Sequence, residues 1–257
     1  MEMQINNSMQ KKIAVIIQAR MNSTRLPSKV LAKLNEKSLF EFLVQRLKKS
    51  TLVNEIILAT TNNSIDDPLC EKGKALDLNI VRGSEDDVLN RFFKASKITK
   101  ANVFIRVTAD CPFIDKYLIE DLINEFLNQN VDYLSNCYPP RLPDGLDLEI
   151  FTRESLISAH LNCHDQKKRE HVTPWIRESG IFKVGSIKYP KDYSNLRLTV
   201  DEPEDLVLVR KLVRDFNFDE NSKWHDLITI LNENPELAKI NSKFERNKGA
   251  LMDQNNK

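Results

Sequence analysis

Residues 13–29, IAVIIQARMNSTRLPSK, decide the fold that we expect for this chain. The apolar residues 13–17 predict a buried strand, and a polar loop that carries Arg20, Arg25 and Lys29 follows directly. In open α/β sheets, ligands bind at the carboxyl ends of the strands, where this loop begins. Cations placed so close together favour a bound anion, of which a polyphosphate is the simplest. The alternative is a solvated basic turn.

The loop differs from the common phosphate-binding loops because residues 18–29 contain no glycine. It is therefore neither a P-loop nor the GxGxxG turn of dinucleotide-binding proteins. Arginine forks and a lysine ammonium suit phosphate oxygens. Ser23, Thr24 and the backbone N–H groups of the loop can add further donors.

Segments with strand and helix patterns alternate along the chain. The predicted strands cover residues 12–19, 55–60, 79–82, 102–108, 131–135, 146–151, 182–187 and 196–200. The predicted helices cover residues 39–48, 66–78, 87–98, 116–128, 153–161, 169–179, 201–215 and 224–240. With short connections, this order predicts a three-layer α/β fold, in which a mostly parallel (mixed) sheet carries helices on both faces. We expect a single domain, 12–245, between a disordered leader, 1–11, and a disordered tail, 246–257.

Composition excludes several classes of protein. Lys+Arg 38 against Asp+Glu 37 gives almost no net charge, whereas a dedicated nucleic-acid binder usually shows a basic excess. No apolar run is long enough to cross a bilayer, and the polar start of the chain does not resemble a signal peptide. The 4 cysteines are far apart. We therefore expect free thiols, a cytoplasmic location and no membrane or nucleic-acid partner.

Two aspartates follow predicted strands and could share one metal ion. Asp110 lies in RVTADCPFID, 106–115, and Asp201 lies in LRLTVDEPED, 196–205. Mg²⁺ in phosphoryl-transfer sites is commonly held by one or two carboxylates together with substrate oxygens. The alternative for both residues is a turn or helix-capping role.

Two further loops are candidates for substrate contacts. In RGSEDD, 82–87, Ser84 and nearby backbone groups could contact a base, although capping of the next helix by Ser84 or Glu85 is the simpler interpretation. In RLPDGLDLE, 141–149, acidic residues cluster around a glycine turn that could bind sugar hydroxyls. A hairpin turn with exposed carboxylates is the alternative there.

Six segments in a fixed order resemble a known family. They are AVIIQARMNSTRLPSKVL, RGSEDDVLNRF, RVTADCPFID, DGLDLEIF, REHVTPWI and LRLTVDEPEDL. Together they resemble the cytidylyltransferase-like proteins of spore-coat polysaccharide biosynthesis, which are related to the enzymes that make CMP-3-deoxy-octulosonate and CMP-acylneuraminate. The resemblance spans residues 12–215. It implies a GT-A-like nucleotidyltransferase fold and a Mg²⁺-dependent reaction of CTP with an acidic sugar that releases pyrophosphate.

The resemblance also implies roles for individual residues. The residues expected to bind the nucleotide are Ala19, Arg20, Ser23, Arg25, Lys29, Thr60, Arg82 and Ser84. Those expected on the sugar side are Arg141, Asp144, Asp147 and Glu149. The catalytic set is Arg20, Lys29, Asp110 and Asp201, of which the two aspartates hold Mg²⁺. Gln18 replaces a proline of the octulosonate and neuraminate enzymes, which weakens the transfer of their sugar specificity.

Two alternative functions and the oligomeric state stay open at this point. A GT-A-type glycosyltransferase that uses a nucleotide sugar would need an Asp-x-Asp motif, whereas the chain has Asp-Cys-Pro at 110–112. A non-catalytic nucleotide-binding regulator would not need both aspartates. The helix predicted at 224–240 could pack across a homodimer, but nothing in the sequence requires one.

Overall fold

The computed structural model describes residues 11–246. A 7-stranded sheet forms its centre, in the spatial order β3-β2-β1-β4-β6-β5-β7. The strands are β1 (Ile13–Gln18), β2 (Glu55–Thr61), β3 (Asn79–Gly83), β4 (Val103–Thr108), β5 (Tyr133–Ser135), β6 (Glu149–Thr152) and β7 (Val184–Ser186). The first four strands are mutually parallel. Only β6 runs antiparallel to its neighbours β4 and β5, so the sheet is mixed but mostly parallel, as predicted.

Alternate residues of β1 face two separate apolar cores. Ile13, Val15 and Ile17 pack on one face of the sheet, whereas Ala14 and Ile16 pack on the other. A parallel strand that is covered on both faces reads as a continuous apolar run, which explains the sequence of this strand. The three-layer α/β prediction is confirmed.

Ten α-helices connect and cover the described strands. They are α1 (Leu39–Leu47), α2 (Asp67–Ala75), α3 (Val88–Lys97), α4 (Lys116–Gln129), α5 (Arg153–Asn162), α6 (Gln166–His171), α7 (Pro174–Glu178), α8 (Pro203–Asp215), α9 (Trp224–Glu233) and α10 (Pro235–Lys239). Asp87, rather than Ser84 or Glu85, caps α3, because its carboxylate accepts a hydrogen bond from the backbone N–H of Asn90 at 3.0 Å. Prolines divide two predicted helices, 169–179 and 224–240, because Pro174 and Pro235 lack the N–H that would continue the preceding helix.

The strand predicted at 196–200 is wrong. This segment is extended but forms only an isolated bridge between Arg197 and Asp144. Gly145 explains the close approach, because a Cβ at this position would lie 2.4 Å from the backbone nitrogen of Thr199. The backbone N–H of Val200 then donates to the carbonyl oxygen of Asp110 at 2.8 Å. The segment therefore connects two loops, and it is not part of a sheet.

Several predictions concern features at the periphery. Within residues 11–246, no helix is long and apolar enough to span a bilayer. Residues 1–10 and 247–257 of the predicted leader and tail lie outside the described residues. Arg246, placed in the predicted tail, donates to the carbonyl oxygen of Leu142 at 2.9 Å. The apolar face of α9 packs into the chain's own core, so the homodimer stays a prediction without that support.

Candidate active site

A cleft of about 200 Å³ opens at the carboxyl ends of β1 and β4. The loop after β1 forms one wall, and the segments that begin at Asp110 and Asp201 form the opposite wall. The residues that line it are Gln18, Ala19, Arg20, Ser23, Thr24, Arg25, Lys29, Val30, Glu85, Val88, Arg91, Thr108, Ala109, Asp110, Glu170 and Asp201. Seven of the residues predicted from the sequence therefore meet here: Ala19, Arg20, Ser23, Arg25, Lys29, Asp110 and Asp201.

The ammonium group of Lys29 joins the two aspartates. Its Nζ lies 2.8 Å from Oδ2 of Asp110 and 2.7 Å from Oδ1 of Asp201. Lys29 begins a short 3-10 helix, Lys29–Leu31, in which the neighbouring Val30 is buried in the core and anchors the turn. Two carboxylates 91 residues apart in sequence are thus held at a single cation.

The other two arginines of the loop also contact acids across the cleft. Arg25 lies 3.0 Å from Asp201 and 3.1 Å from Glu202. Arg20 lies 2.8 Å from Glu85, in the loop that precedes α3. Every predicted phosphate-binding cation therefore pairs with a carboxylate of the chain and remains accessible from the cleft.

The charges in this cluster stabilise one another. Burial alone would raise the pKa of Asp110, but the charge of Lys29 and hydrogen bonds from Lys29, Thr108 and Cys111 outweigh it and hold that pKa at about 2. Burial likewise works to lower the pKa of Lys29, but the negative charges of Asp110 and Asp201 outweigh it, so the pKa rises above its usual value. At neutral pH the ammonium and the Asp110 carboxylate are therefore both charged.

Asp66 fixes the position of the loop, a role that the sequence did not reveal. Its buried carboxylate accepts hydrogen bonds from the backbone N–H of Met21 at 2.7 Å and from the hydroxyl of Thr60 at 2.9 Å. Burial opposes ionisation, but the hydrogen bonds, first that from Thr61 and then those from Met21 and Thr60, lower the pKa of Asp66. Thr60 is fully buried beneath the loop, outside the cleft lining, and its predicted contact with the nucleotide stays a prediction.

Arg197 orients Asp201 from behind. Its guanidinium lies 3.2 Å from Oδ2 of Asp201, 2.7 Å from Asp144 and 2.9 Å from the fully buried Asp205. Asp205 in turn accepts hydrogen bonds from the backbone N–H groups of Asp201 and Glu202, each at 2.9 Å. The same segment, 196–205, therefore delivers Asp201 to the cleft and holds its carboxylate there.

The predicted sugar-side residues lie outside the lining of the cleft. Glu149 is buried and bonded to Arg106 at 2.7 Å, to the hydroxyl of Tyr133 at 2.6 Å and to that of Thr173 at 2.5 Å. Asp144 pairs with Arg197, Asp147 pairs with Arg246, and the exposed Arg141 lies 3.5 Å from Asp192. None of these four side chains lines the cleft in this structure, so their contacts with a sugar stay predictions.

Arg82 and Ser84 also lie outside the lining. The guanidinium of Arg82 bonds Asp67 at 2.6 Å and the carbonyl oxygens of Thr61 and Asn63, each at 2.7 Å. Ser84 is exposed beside the cleft entrance formed by its neighbour Glu85. Their nucleotide contacts stay predictions.

Sequence reasoning also missed Arg91 and Glu170 in the lining of the cleft. Glu170 reaches it because the neighbouring Arg169 binds Asp87 at 2.9 Å, which ties α6 to the start of α3. Helical spacing assigns Arg91 to α3 but does not show which way its side chain points. Both residues lie in segments of the family resemblance, 82–92 and 169–176, but nothing in these segments marks their side chains as cleft residues.

The donor set at Asp110 and Asp201 fits Mg²⁺. Both acids already contact one cationic centre, the Lys29 ammonium, and carboxylate oxygens are the ligands this ion prefers. Within residues 11–246 there is no cluster of three or more His, Cys, Asp or Glu side chains arranged to hold a metal. Two carboxylates alone suit an ion whose other ligands are water and substrate oxygens.

The sequence and the fold of this chain are similar to those of known proteins. The model of a family described as "Cytidylyltransferase" matches residues 14–237. Spore coat polysaccharide biosynthesis protein SpsF of Bacillus subtilis is 33% identical over 88% of this chain and 96% of its own length. A 3-deoxy-manno-octulosonate cytidylyltransferase of Bdellovibrio bacteriovorus is 27% identical over 60% of each chain. The structure of a cytidylyltransferase from Leptospira borgpetersenii superposes with a TM-score of 0.84 and 30% identity, and covers 89% of this chain and 97% of that one.

Proposed function

The chain belongs to the cytidylyltransferase family and is a nucleotidyltransferase, and we propose that it transfers CMP from CTP to an acidic sugar with release of pyrophosphate. The single observation that carries this proposal is the meeting of Lys29 with Asp110 and Asp201 across the cleft. A cationic loop that faces two metal-type carboxylates matches what a nucleoside triphosphate and its Mg²⁺ require. Family membership favours cytidylyl transfer over the glycosyltransferase and regulator alternatives.

The loop cations are the groups that bind the triphosphate. Arg20, Arg25 and Lys29 pair with carboxylates in this structure, and phosphate oxygens offer them the same charge-assisted hydrogen bonds. Ser23 and Thr24 add hydroxyl donors on the same wall. With the charge of the leaving pyrophosphate balanced in this way, the loop stabilises the transition state as well as the bound CTP.

Asp110 and Asp201 would hold Mg²⁺ in this reaction. Bound there, Mg²⁺ would supply Lewis-acid polarisation of the α-phosphate of the cytidylyl group that is transferred. Arg197 and Asp205 keep the Asp201 carboxylate directed into the cleft, and Thr108 and Cys111 support Asp110. The chain thus contributes fixed ligands, and positioning accounts for much of the rate enhancement.

The proposal that the acceptor sugar is acidic is supported by the name of a relative and not by a pocket of this structure. 3-Deoxy-manno-octulosonate, which appears in the name of the Bdellovibrio bacteriovorus relative, is a sugar acid. The similarity to a spore coat polysaccharide biosynthesis protein supports a role in making surface polysaccharide or another glycan.

Pyrophosphate release tests the proposal directly. The full chain is incubated with Mg²⁺, each of the four nucleoside triphosphates, and a panel of sugars that contains 3-deoxy-octulosonate, acylneuraminate and their neutral counterparts. We expect release that requires both CTP and an acidic sugar, with a CMP-sugar product of matching mass. CTP binding without release from any member of the panel would contradict cytidylyl transfer and favour the regulator.

A further inference from the structure

Arg91 is a buried arginine whose hydrogen-bonding groups are not used. Its side chain is 1% exposed and lies in the lining of the cleft. Nε and Nη1 of its guanidinium are buried and have no hydrogen-bond partner among residues 11–246. Buried polar groups in folded proteins are nearly always hydrogen-bonded, so donors left open at a cleft indicate that a ligand completes them.

Arg46 provides a matched comparison in the same chain. It is also fully buried, but its guanidinium donates to the carbonyl oxygens of Ile114 at 3.3 Å, Phe113 at 3.0 Å and Asp219 at 2.6 Å. Burial lowers the pKa of both arginines to about 10. The two side chains therefore share burial and charge. They differ because the donors of Arg46 are hydrogen-bonded to carbonyl oxygens of the protein, whereas Nε and Nη1 of Arg91 are not.

Three nearby acids offset part of the charge of Arg91. After burial, the groups that act most strongly on its pKa are Arg20, which lowers it, and three acids that raise it: Asp66, Glu85 and Asp87. These acids offset part of the positive charge, whereas Nε and Nη1 of the guanidinium have no acceptor at all among the described residues. A neutral acceptor meets this need, and a polyanion is not required.

The stem of Arg91 lies at the β3 end of the cleft. Its Cγ packs on Gly83, at the end of β3, where an added Cβ would approach to 2.8 Å. Asp110 follows β4, which is separated from β3 by β2 and β1. Strands lie about 4.8 Å apart, so the ends of β3 and β4 are on the order of 14 Å apart. With its phosphates near Asp110 and Asp201, a nucleotide would extend its nucleoside toward Arg91.

We propose that the guanidinium of Arg91 donates hydrogen bonds to the acceptor edge of the nucleobase and thereby selects cytosine. This inference rests on the proposed function and adds a base-reading residue to it. Cytosine offers O2 and N3 as neighbouring neutral acceptors, whereas uracil carries a donor at N3. A site that supplies donors to such an edge rejects an analogue that leaves them unpaired.

Equilibrium binding to Arg91→Met tests the inference. Calorimetry without sugar compares CMP, CDP and CTP on the wild-type chain and on the variant, and then UTP on both. We expect binding of all three cytidine nucleotides to weaken by the same factor, roughly 10- to 100-fold. The preference for CTP over UTP should largely disappear. A loss that grows with the number of phosphates would make Arg91 a phosphate ligand, and unchanged affinity would mean that water fills the donors; either result overturns the inference.

Two further variants separate binding from folding. Gly83→Ala keeps the guanidinium but displaces its stem, so it should weaken CMP binding in the same direction. Without nucleotide, Arg91→Met should unfold at or above the wild-type temperature, because it removes a buried charge that has no hydrogen bonds. Arg46→Met should unfold at a lower temperature, because it leaves three carbonyl oxygens without a donor. If the unfolding temperature of Arg91→Met falls as far as that of Arg46→Met, the role of Arg91 is structural and the inference is overturned.

The outcome also distinguishes this inference from the proposed function. If the wild-type chain releases pyrophosphate from CTP while Arg91→Met keeps wild-type affinity and selectivity, only the base-reading role fails. If the wild-type chain neither binds CTP nor releases pyrophosphate, the proposed function fails, and the inference fails with it.

Discussion

The cleft and the β5–β6 side of the sheet use the same kind of ion pair for different purposes. In the cleft, Lys29 bridges Asp110 and Asp201 at 2.8 and 2.7 Å. On the β5–β6 side, Glu149 meets Arg106 at the same 2.7 Å. The distances do not distinguish the two regions. The carboxylates do, because the side chains of Asp110 and Asp201 are 25% and 20% exposed, whereas that of Glu149 is 6% exposed.

The surroundings of the carboxylates also separate the regions. Glu149 accepts from two hydroxyls in addition to Arg106, so its oxygens are occupied from inside the chain. Asp110 and Asp201 share the ammonium of Lys29, and Asp201 also pairs with Arg25 and Arg197, but both carboxylates open onto the cleft. Ion pairs of equal length therefore indicate a ligand site only where an incoming ligand can reach the charged groups and replace one partner of the pair.

Asp110→Asn should give the largest effect on the cleft side of this comparison. The amide keeps the volume of the carboxylate but removes the charge that a metal requires, so turnover of CTP should fall about 1,000-fold. The unfolding midpoint should fall modestly, because the folded chain loses a carboxylate whose pKa it depresses, while Lys29 keeps Asp201 as a partner. Pyrophosphate release and thermal unfolding measure the two quantities. Near-wild-type turnover would remove Asp110 from the site.

Glu149→Ala should act in the opposite way. Its removal leaves Arg106 without its partner in a largely buried position, and breaking such a pair lowers the free energy of unfolding by about 3 kcal/mol. Urea unfolding gives this value, and Glu149→Gln is the matched control that keeps the shape and one acceptor. If Glu149→Ala instead unfolds like the wild type but loses affinity for the sugar, the residue belongs to the substrate site that the sequence predicted.

Asp147→Asn should give the smallest effect, which is a change in how the free energy of unfolding depends on pH. Burial raises the pKa of Asp147 to about 6, although Arg246 opposes the rise. Between this value and the ordinary pKa near 4, the folded chain binds more protons than the unfolded chain, so this group adds stability as pH falls. From pH 7 to pH 5 the wild type should gain about 1 kcal/mol relative to Asp147→Asn in urea unfolding. Parallel curves for the two proteins would show that the carboxyl is solvated normally.

The same comparison explains what the sequence could predict. The apolar run of β1 and the polar residues directly after it are local signals, so the sheet, the cationic loop and Asp110 were all predictable. Asp201 was predicted to follow a strand at 196–200. It lies in the cleft as expected, although 196–200 is not a strand. Its place depends on Gly145 and on the carbonyl of Asp110, which are distant in sequence.

The acidic residues at 144–149 show that a local sequence pattern does not reveal ion pairs with distant residues. Their sequence resembles an open acidic turn, but Arg106, Arg197 and Arg246 neutralise them from elsewhere in the chain. Arg91 shows the reverse case, because an unremarkable helical arginine becomes a cleft residue only through its packing on Gly83. Long-range pairing of charges decides the first case and packing between distant elements decides the second, and a single sequence reveals neither.

A crystal structure with CTP and Mn²⁺, recorded with anomalous scattering from the metal, tests the central claim most directly. The account predicts a metal peak in contact with the carboxylates of Asp110 and Asp201 and with a phosphate oxygen of CTP, with Lys29 moved from the carboxylates to the phosphates. CTP bound in the cleft with Lys29 still bridging both aspartates, and the metal elsewhere or absent, would contradict it.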